Sequence, residues 1–301
     1  MATRGTFTRR RTFVTVGIAL IVVGATWLGV QLGVGSSSGG FYLVIGASAA
    51  KGFEPIGTMG PRGPNEAATN NGYANDVDEM LAGRGSPLTL VNIACPGETI
   101  QTLVNGGDAC SPTTSMLSRA ESFLRERYDG TGVVTIDVGF NNIRPCLQFT
   151  TVDASCIESS VALIKSDLPR VLSGLEKAAG PGVTFVGIPY GDPYLGHYVN
   201  SSQGPANATS TLRAMKEMDA ALDNAFEASK IAVAPVATAL KMNDTELTGH
   251  YDGRVVPEDV AMACDTTWMC RAAPWGPNDH PNNEGYAIIA KSIVEELPAS
   301  F

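Results

Sequence analysis

The 301-residue sequence contains no internal repeat, no CxxC pair and no Cys–His cluster, and its first 40 residues carry no acid. The missing repeats exclude collagen and coiled coil. Without metal-ligand spacing the cysteines do not read as a zinc site, and no metal or organic cofactor is implied. Charged residues make up only 17% of the chain against 44% hydrophobic, too apolar a composition for disorder. Basic residues are also scarce outside the start. Of 21 Lys and Arg, four (Arg4, Arg9, Arg10, Arg11) precede residue 41, so the remainder sets 17 against 30 acids, a net charge of −13. A body this acidic repels phosphate backbones, which argues against nucleic acid as a partner.

The basic start leads into Phe13–Val34, 22 residues without a charge. As a helix this run spans about 30 Å of hydrocarbon. It is longer than the core of a cleaved signal peptide, and the following Gly/Ser segment is a poor cleavage site. The arginines place residues 1–12 in the cytoplasm by the positive-inside rule. The expected organisation is a cytoplasmic segment 1–12, a transmembrane signal-anchor 13–34, a linker 35–40 and an extracytoplasmic domain 41–301. Secretion after cleavage is the alternative, and either route exports the domain.

All six cysteines (Cys95, Cys110, Cys146, Cys156, Cys264, Cys270) lie beyond the anchor. Six cysteines allow 15 pairings. Short loop closures favour Cys95–Cys110, Cys146–Cys156 and Cys264–Cys270, as suits an oxidising compartment.

Beyond residue 40, five nearly continuous aliphatic runs (41–46, 88–93, 132–139, 183–189, 231–236) alternate with helical stretches near 73–82, 115–128, 157–179 and 208–229. A last helix starts near Asn283, with Tyr286, Ile289, Ile293 and Leu297 on one face. Strands of that kind are buried on both faces of a parallel sheet. The pattern predicts one three-layer α/β/α domain with a five-stranded parallel sheet, flavodoxin-like in its winding. Its chemistry is expected at the carboxyl ends of the strands. The Gly-, Pro- and Asn-rich stretch Gly52–Gly72 reads as a loop forming a mobile rim.

Polar residues stand at just those ends. The first strand runs into Gly46-Ala47-Ser48, the second into a turn containing Gly97, and the third into Gly139-Phe140-Asn141-Asn142. Asp279-His280-Pro281-Asn282 precedes the last helix. Ser48 is a candidate nucleophile and His280 its base. The backbone N–H groups of Ser48 and Gly97 and the amide of Asn141 could hold an oxyanion. Taken singly, Ser48 reads as a helix cap, and Gly97 and Asn141 as turn residues. His197 and His250 read as surface residues, Trp268 and Trp275 as loop packing, and Tyr190 and Asp192 after the fourth strand as turn residues, with cleft lining as the alternative.

Ser, Gly, Asn and His in this order resemble the SGNH (GDSL-type) hydrolases over nearly all of residues 41–297. The blocks are GAS with Ser48, NIACPGET with Gly97, GFNN with Asn141 and HPNNEGY with His280. The cysteine-bearing loops and the WMC at 268–270 resemble exported actinobacterial members. Two positions depart from the pattern: Ala47 stands where the family usually has Asp, and Pro277 stands where it has the Asp that orients the histidine. Asp279 is adjacent to His280, and neighbouring side chains rarely point at one another. The resemblance implies another orienting group, a backbone carbonyl as in some relatives, here from Trp275 to Pro277, giving a Ser–His dyad or atypical triad.

The resemblance implies an extracytoplasmic serine esterase or acyltransferase. Its substrate would be an ester (a lipid, an envelope glycan acyl ester or a small ester), and it would meet the membrane through its N-terminal helix. The reading from another class is a catalytically degenerate envelope-binding or scaffold protein of the same fold. The two differ in whether His280 reaches Ser48 with an acceptor on its other nitrogen.

Overall fold

The computed structural model describes residues 39–147 and 151–301. The proposed anchor 13–34 lies outside them. Among the described residues no helix is long and apolar enough to cross a membrane.

The strands are β1 (Phe41–Ile45), β2 (Phe53–Gly60), β3 (Gly63–Ala68), β4 (Thr89–Asn92), β5 (Gly132–Ile136), β6 (Val183–Gly187), β7 (Ala232–Val233), β8 (Gly249–Tyr251) and β9 (Arg254–Val256). The helices are α1 (Tyr73–Gly83), α2 (Ile100–Asn105), α3 (Met116–Glu126), α4 (Phe140–Ile143), α5 (Ala154–Ala178), α6 (Gly204–Ala228), α7 (Val236–Ala239), α8 (Glu258–Thr266) and α9 (Asn283–Glu295). The main sheet has the order β4-β1-β5-β6-β7, and all its strand pairs are parallel. The five aliphatic runs are its five strands.

Alternation along β1 divides the core. Phe41, Leu43 and Ile45 pack with α3, α5 and α6 on one face. Tyr42 and Val44 pack with α1 and α9 on the other. Both faces are covered, which is why these strands read as unbroken apolar runs. Tyr42, the one polar-tipped side chain of β1, shares a hydrogen bond of 3.1 Å with Thr135 on β5. Strand order reverses at β1, so the crevice between the ends of β1 and β5 is the topological switch point.

The stretch Gly52–Gly72 departs from expectation. It is an antiparallel hairpin, β2 paired with β3 from Phe53↔Ala68 to Gly60↔Gly63, with an irregularity between Pro55 and Met59. Its base is closed by Gly52, whose φ of +62° disfavours any side chain and whose Cβ would lie 2.5 Å from the nitrogen of Gly72. Thr69 donates its N–H and hydroxyl to the Gly52 carbonyl at 3.0 and 2.8 Å. The tyrosine hydroxyl of Tyr286, on α9, holds the hairpin by donating to the Phe53 carbonyl at 2.8 Å. Backbone and side-chain bonds thus order a segment whose composition reads as loop.

The three disulfides are Cys95–Cys110, Cys146–Cys156 and Cys264–Cys270, as short loop closure favours. No free cysteine remains. The closed loops span separations of 15, 10 and 6 residues. Chain entropy ranks their contributions in the same order, from about 3 to about 2 kcal/mol. Replacing each pair by alanines should therefore lower the urea midpoint most for Cys95–Cys110 and least for Cys264–Cys270. A reversed order would show that strain or residual structure, not loop length, governs the stabilisation.

Candidate active site

Ser48 follows β1 by three residues and occupies the cap position of a 3-10 turn at Ala49–Lys51. Its hydroxyl does not cap that turn. Instead Ser48 Oγ lies 2.7 Å from His280 Nε2, the reach a serine needs to pass its proton to a base. The turn is fastened to the end of β4 by two bonds. Asn92 Nδ2 donates to the Ala50 carbonyl at 2.6 Å, and Lys51 Nζ donates to the Asn92 carbonyl at 2.8 Å.

His280 is buried and precedes the capped start of α9, where the Asn282 side chain accepts from the N–H groups of Glu284 and Gly285. The missing side chain of Gly285 lets this start press on α8, since a Cβ there would lie 2.2 Å from the Thr266 carbonyl. The His280 carbonyl accepts from Trp268 N–H at 3.2 Å. Both backbone faces of the residue are thereby fixed.

The other ring nitrogen meets a residue that the sequence did not single out. His280 Nδ1 contacts the Glu66 carboxylate, carried by β3. Asn278 braces the pair: its Nδ2 donates to Glu66 Oε1 at 2.6 Å, and its Oδ1 accepts from His280 N–H at 3.0 Å and lies 3.3 Å from Nδ1. The expected backbone carbonyl within 275–277 is replaced by a side-chain carboxylate from a distant hairpin. Burial works to raise the Glu66 pKa, but its hydrogen bond and charge interaction with His280 hold it below the ordinary 4.5.

Asp279, adjacent to His280, turns away as expected of a sequence neighbour. It is 3.8 Å from Nδ1 and takes Arg144 at 2.6 and 3.0 Å and the Tyr194 hydroxyl at 2.7 Å. Burial opposes its ionisation, but the charges of His280 and Arg144 with these hydrogen bonds hold its pKa below 3.8.

Of the proposed oxyanion donors, Asn141 stands on α4, just after β5, and lines a cavity with Ser48 and His280. Its Nδ2 donates to the Glu98 carbonyl at 3.1 Å, tying the Gly97 loop to α4; a primary amide keeps a second N–H. Gly97 is exposed, with φ of +81° and open space where a side chain would stand. Below Ser48 the buried Asp137 accepts from the Ala47 N–H and from the hydroxyls of Tyr190 and, at 3.4 Å, Tyr73. The cavity extends past Phe140, Ile188, Val236, Leu240 and Met242, a mostly apolar wall. Tyr190 and Asp192 line it too, so they do more than turn the chain. His197 is buried rather than on the surface, because the 3-10 turn Pro193–Val199 folds it inward beside Tyr194. Trp268 and Trp275 stack on each other at 5.9 Å, which is loop packing. His250 is exposed, as read.

The five-stranded parallel sheet of order 2-1-3-4-5 with helices on both faces is the fold that the resemblance to SGNH hydrolases implies. No family model matches the sequence, and no curated protein matches it. Among solved structures the chain is similar to a phospholipase A1 from Streptomyces albidoflavus, at TM-score 0.54 and 17% identity over 86% of this chain and 100% of that one. It is similar to an extracellular lipase from Streptomyces rimosus, at 0.53 and 17% over 84% and 99%. An acetylxylan esterase from Geobacillus stearothermophilus follows, at 0.51 and 15% over 87% and 95%.

Burial gives the domain an unusual pH response. It pushes Asp137 to about 6 and Asp192 and Glu98 to about 7, against ordinary values of 3.8 and 4.5. A raised folded-state pKa means that the native protein keeps protons which the unfolded chain releases, so stability falls as pH rises from about 4 to about 7. The depressed Glu66 and Asp279 act oppositely only below pH 4.5. Buried His197, whose pKa burial lowers, opposes the trend within the window as one group against several raised carboxyls, Asp259 at about 6 among them. Thermal unfolding should give a higher Tm at pH 5 than at pH 7.5. A Tm that rises over this interval would contradict the assignment.

Proposed function

We propose that this protein is an SGNH-type serine ester hydrolase acting on an acyl ester. The observation that carries the reading is the 2.7 Å contact between Ser48 Oγ and His280 Nε2 at the switch point of the sheet. Ser48 attacks the ester carbonyl as His280 Nε2 takes its proton, and His280 then returns the proton to the leaving alkoxide. Water, activated by the same imidazole, releases the acyl group from Ser48. The Asn141 amide and the N–H groups of Ser48 and Gly97 receive the oxyanion. The apolar wall of the cavity suits the acyl portion of a lipid or cell-envelope ester. The scaffold alternative is not favoured, because a degenerate site has no need to keep serine and histidine in hydrogen-bond contact.

Ser48→Ala should abolish both fluorophosphonate labelling and hydrolysis of short acyl esters. His280→Ala should remove nearly as much, and the two losses should not add. Asn141→Ala should lower kcat about 10²–10³-fold. Hydrolysis of a panel of short and long acyl esters by Ser48→Ala at the parent rate would sink the proposal.

The domain works outside the cytoplasm, a reading supported by the arginine-flanked run 13–34 and by six cysteines joined as three disulfides. The mature chain should partition with membranes and begin near its own start. Amino-terminal sequencing that begins near Ser36 would instead mean cleavage and release.

A further inference from the structure

We infer that Glu66 is the acidic positioning residue of the catalytic centre, delivered to His280 from outside the core by the β2–β3 hairpin. The inference rests on the serine hydrolase reading and names the group that makes His280 a base.

Four observations carry it. Glu66, His280 and Ser48 form a continuous chain of contacts, the carboxylate on Nδ1 and the hydroxyl on Nε2 at 2.7 Å. That order fixes the tautomer: Nδ1 keeps its hydrogen for the carboxylate, which leaves the Nε2 lone pair facing the serine. Second, the competing acid is already committed, since Asp279 takes two bonds from Arg144 and one from Tyr194. Third, Asn278 donates to Glu66 at 2.6 Å, which holds the carboxylate against Nδ1 even though its side chain is partly open to solvent. Fourth, Pro277, which stands where the resemblance expects the orienting acid, has no carboxyl group.

The way Glu66 arrives matters as much as its contact. No residue of Phe53–Ala68 belongs to either hydrophobic core cluster. Ile56 and Met59 leave 51% and 53% of their surface in solvent. The hairpin is seated by the Tyr286–Phe53 bond, the Asn278–Glu66 bond and the approach of Gly57 to Trp275, where a Cβ would lie 2.9 Å from the indole. A segment held by so few contacts opens at lower free energy than the core. The Ser48–His280 pair is thus set by the fold, while its orienting acid is set by hairpin docking.

As the serine proton moves to Nε2, the ring becomes an imidazolium and its existing Nδ1–H···carboxylate bond becomes one between opposite full charges. Glu66 stays ionised throughout and touches neither substrate nor the serine. Its loss should therefore act on kcat and leave KM nearly unchanged.

The test is steady-state ester hydrolysis against pH for the parent, Glu66→Gln, Glu66→Asp and Trp275→Ala. Glu66→Gln should lower kcat about 10²–10⁴-fold with little change in KM, and the acid limb of its kcat profile should move to lower pH. Glu66→Asp should recover part of the rate and return the limb toward the parent position. Trp275→Ala should lower kcat in the parent and have no further effect in Glu66→Gln, as expected if Trp275 acts only by seating the hairpin. A Glu66→Gln enzyme within threefold of parent kcat, with its acid limb unmoved, would overturn the inference while Ser48→Ala remains dead. Activity in Ser48→Ala would instead overturn the hydrolase reading on which it rests. If Glu66→Gln fails to fold, long-range ¹H–¹⁵N spectra of the parent decide. With only three histidines to assign, His280 should carry its hydrogen on Nδ1, and an Nε2–H tautomer would overturn the inference.

Discussion

One hydrogen bond organises the molecule: Ser48 Oγ to His280 Nε2, between residues 232 positions apart. Its two ends come from the first strand of the sheet and the approach to the last helix. β1 sits between β4 and β5, so its direction is fixed by ladders on both sides. α9 packs with α1 on the same face as Tyr42 and Val44, which locks the entry to that helix against the sheet. Neither partner has local freedom to find the other. The contact forms only when the non-local core is in place, and a site built this way is also a report on folding.

Three carboxylates cluster around the site, and their surroundings separate them. Asp137 is wholly buried beneath Ser48; burial raises it to about 6 despite hydrogen bonds from Tyr190, Tyr73 and the Ala47 N–H. Asp279 is less buried than Asp137 and stays ionised against Arg144 and Tyr194, fastening the loop before His280 to the turn after α4 and to the turn Pro193–Val199. Glu66 alone combines partial solvent access with a contact to Nδ1. One residue class thereby serves as a brace beside Ser48, a loop clasp and a histidine partner. The division follows from what surrounds each carboxylate rather than from its distance in sequence to His280.

The sheet was legible because burial on both faces leaves a strong mark: FYLVI and GVVTI are unbroken because α3, α5 and α6 cover one side and α1 and α9 the other. Ser48, Asn141 and His280 were legible because strand ends and helix starts are where such a fold gathers chemistry. Glu66 was not. Its hairpin contains Pro55, Gly57, Gly60, Gly63 and Pro64, residues that weaken any strand reading. The hairpin also buries too little apolar surface to impose alternation. The pairing is specified by the Gly52–Gly72 approach at its base and by contacts to Trp275, Asn278 and Tyr286. Contacts more than 200 residues away leave no periodic trace in the segment itself. His197 escaped for a related reason: the polar stretch 200–203 that follows marks a loop, yet the 3-10 turn Pro193–Val199 before it packs against α6 and α8.

These two kinds of specification divide the consequences of change. The serine and the histidine backbone are held by ladders, a capped helix and core burial, terms each worth a sizeable fraction of total stability. Substitutions that disturb them act on whether the protein folds. The Glu66 carboxylate is held by a few polar bonds and one glycine–indole approach at the surface, contacts that contribute little to global stability. Substitutions along the hairpin therefore act on how often the imidazole is oriented while the core stays intact. A fold that takes its acid from a docked hairpin can vary rate and stability separately, which a carboxylate buried in the loop of the histidine itself would couple.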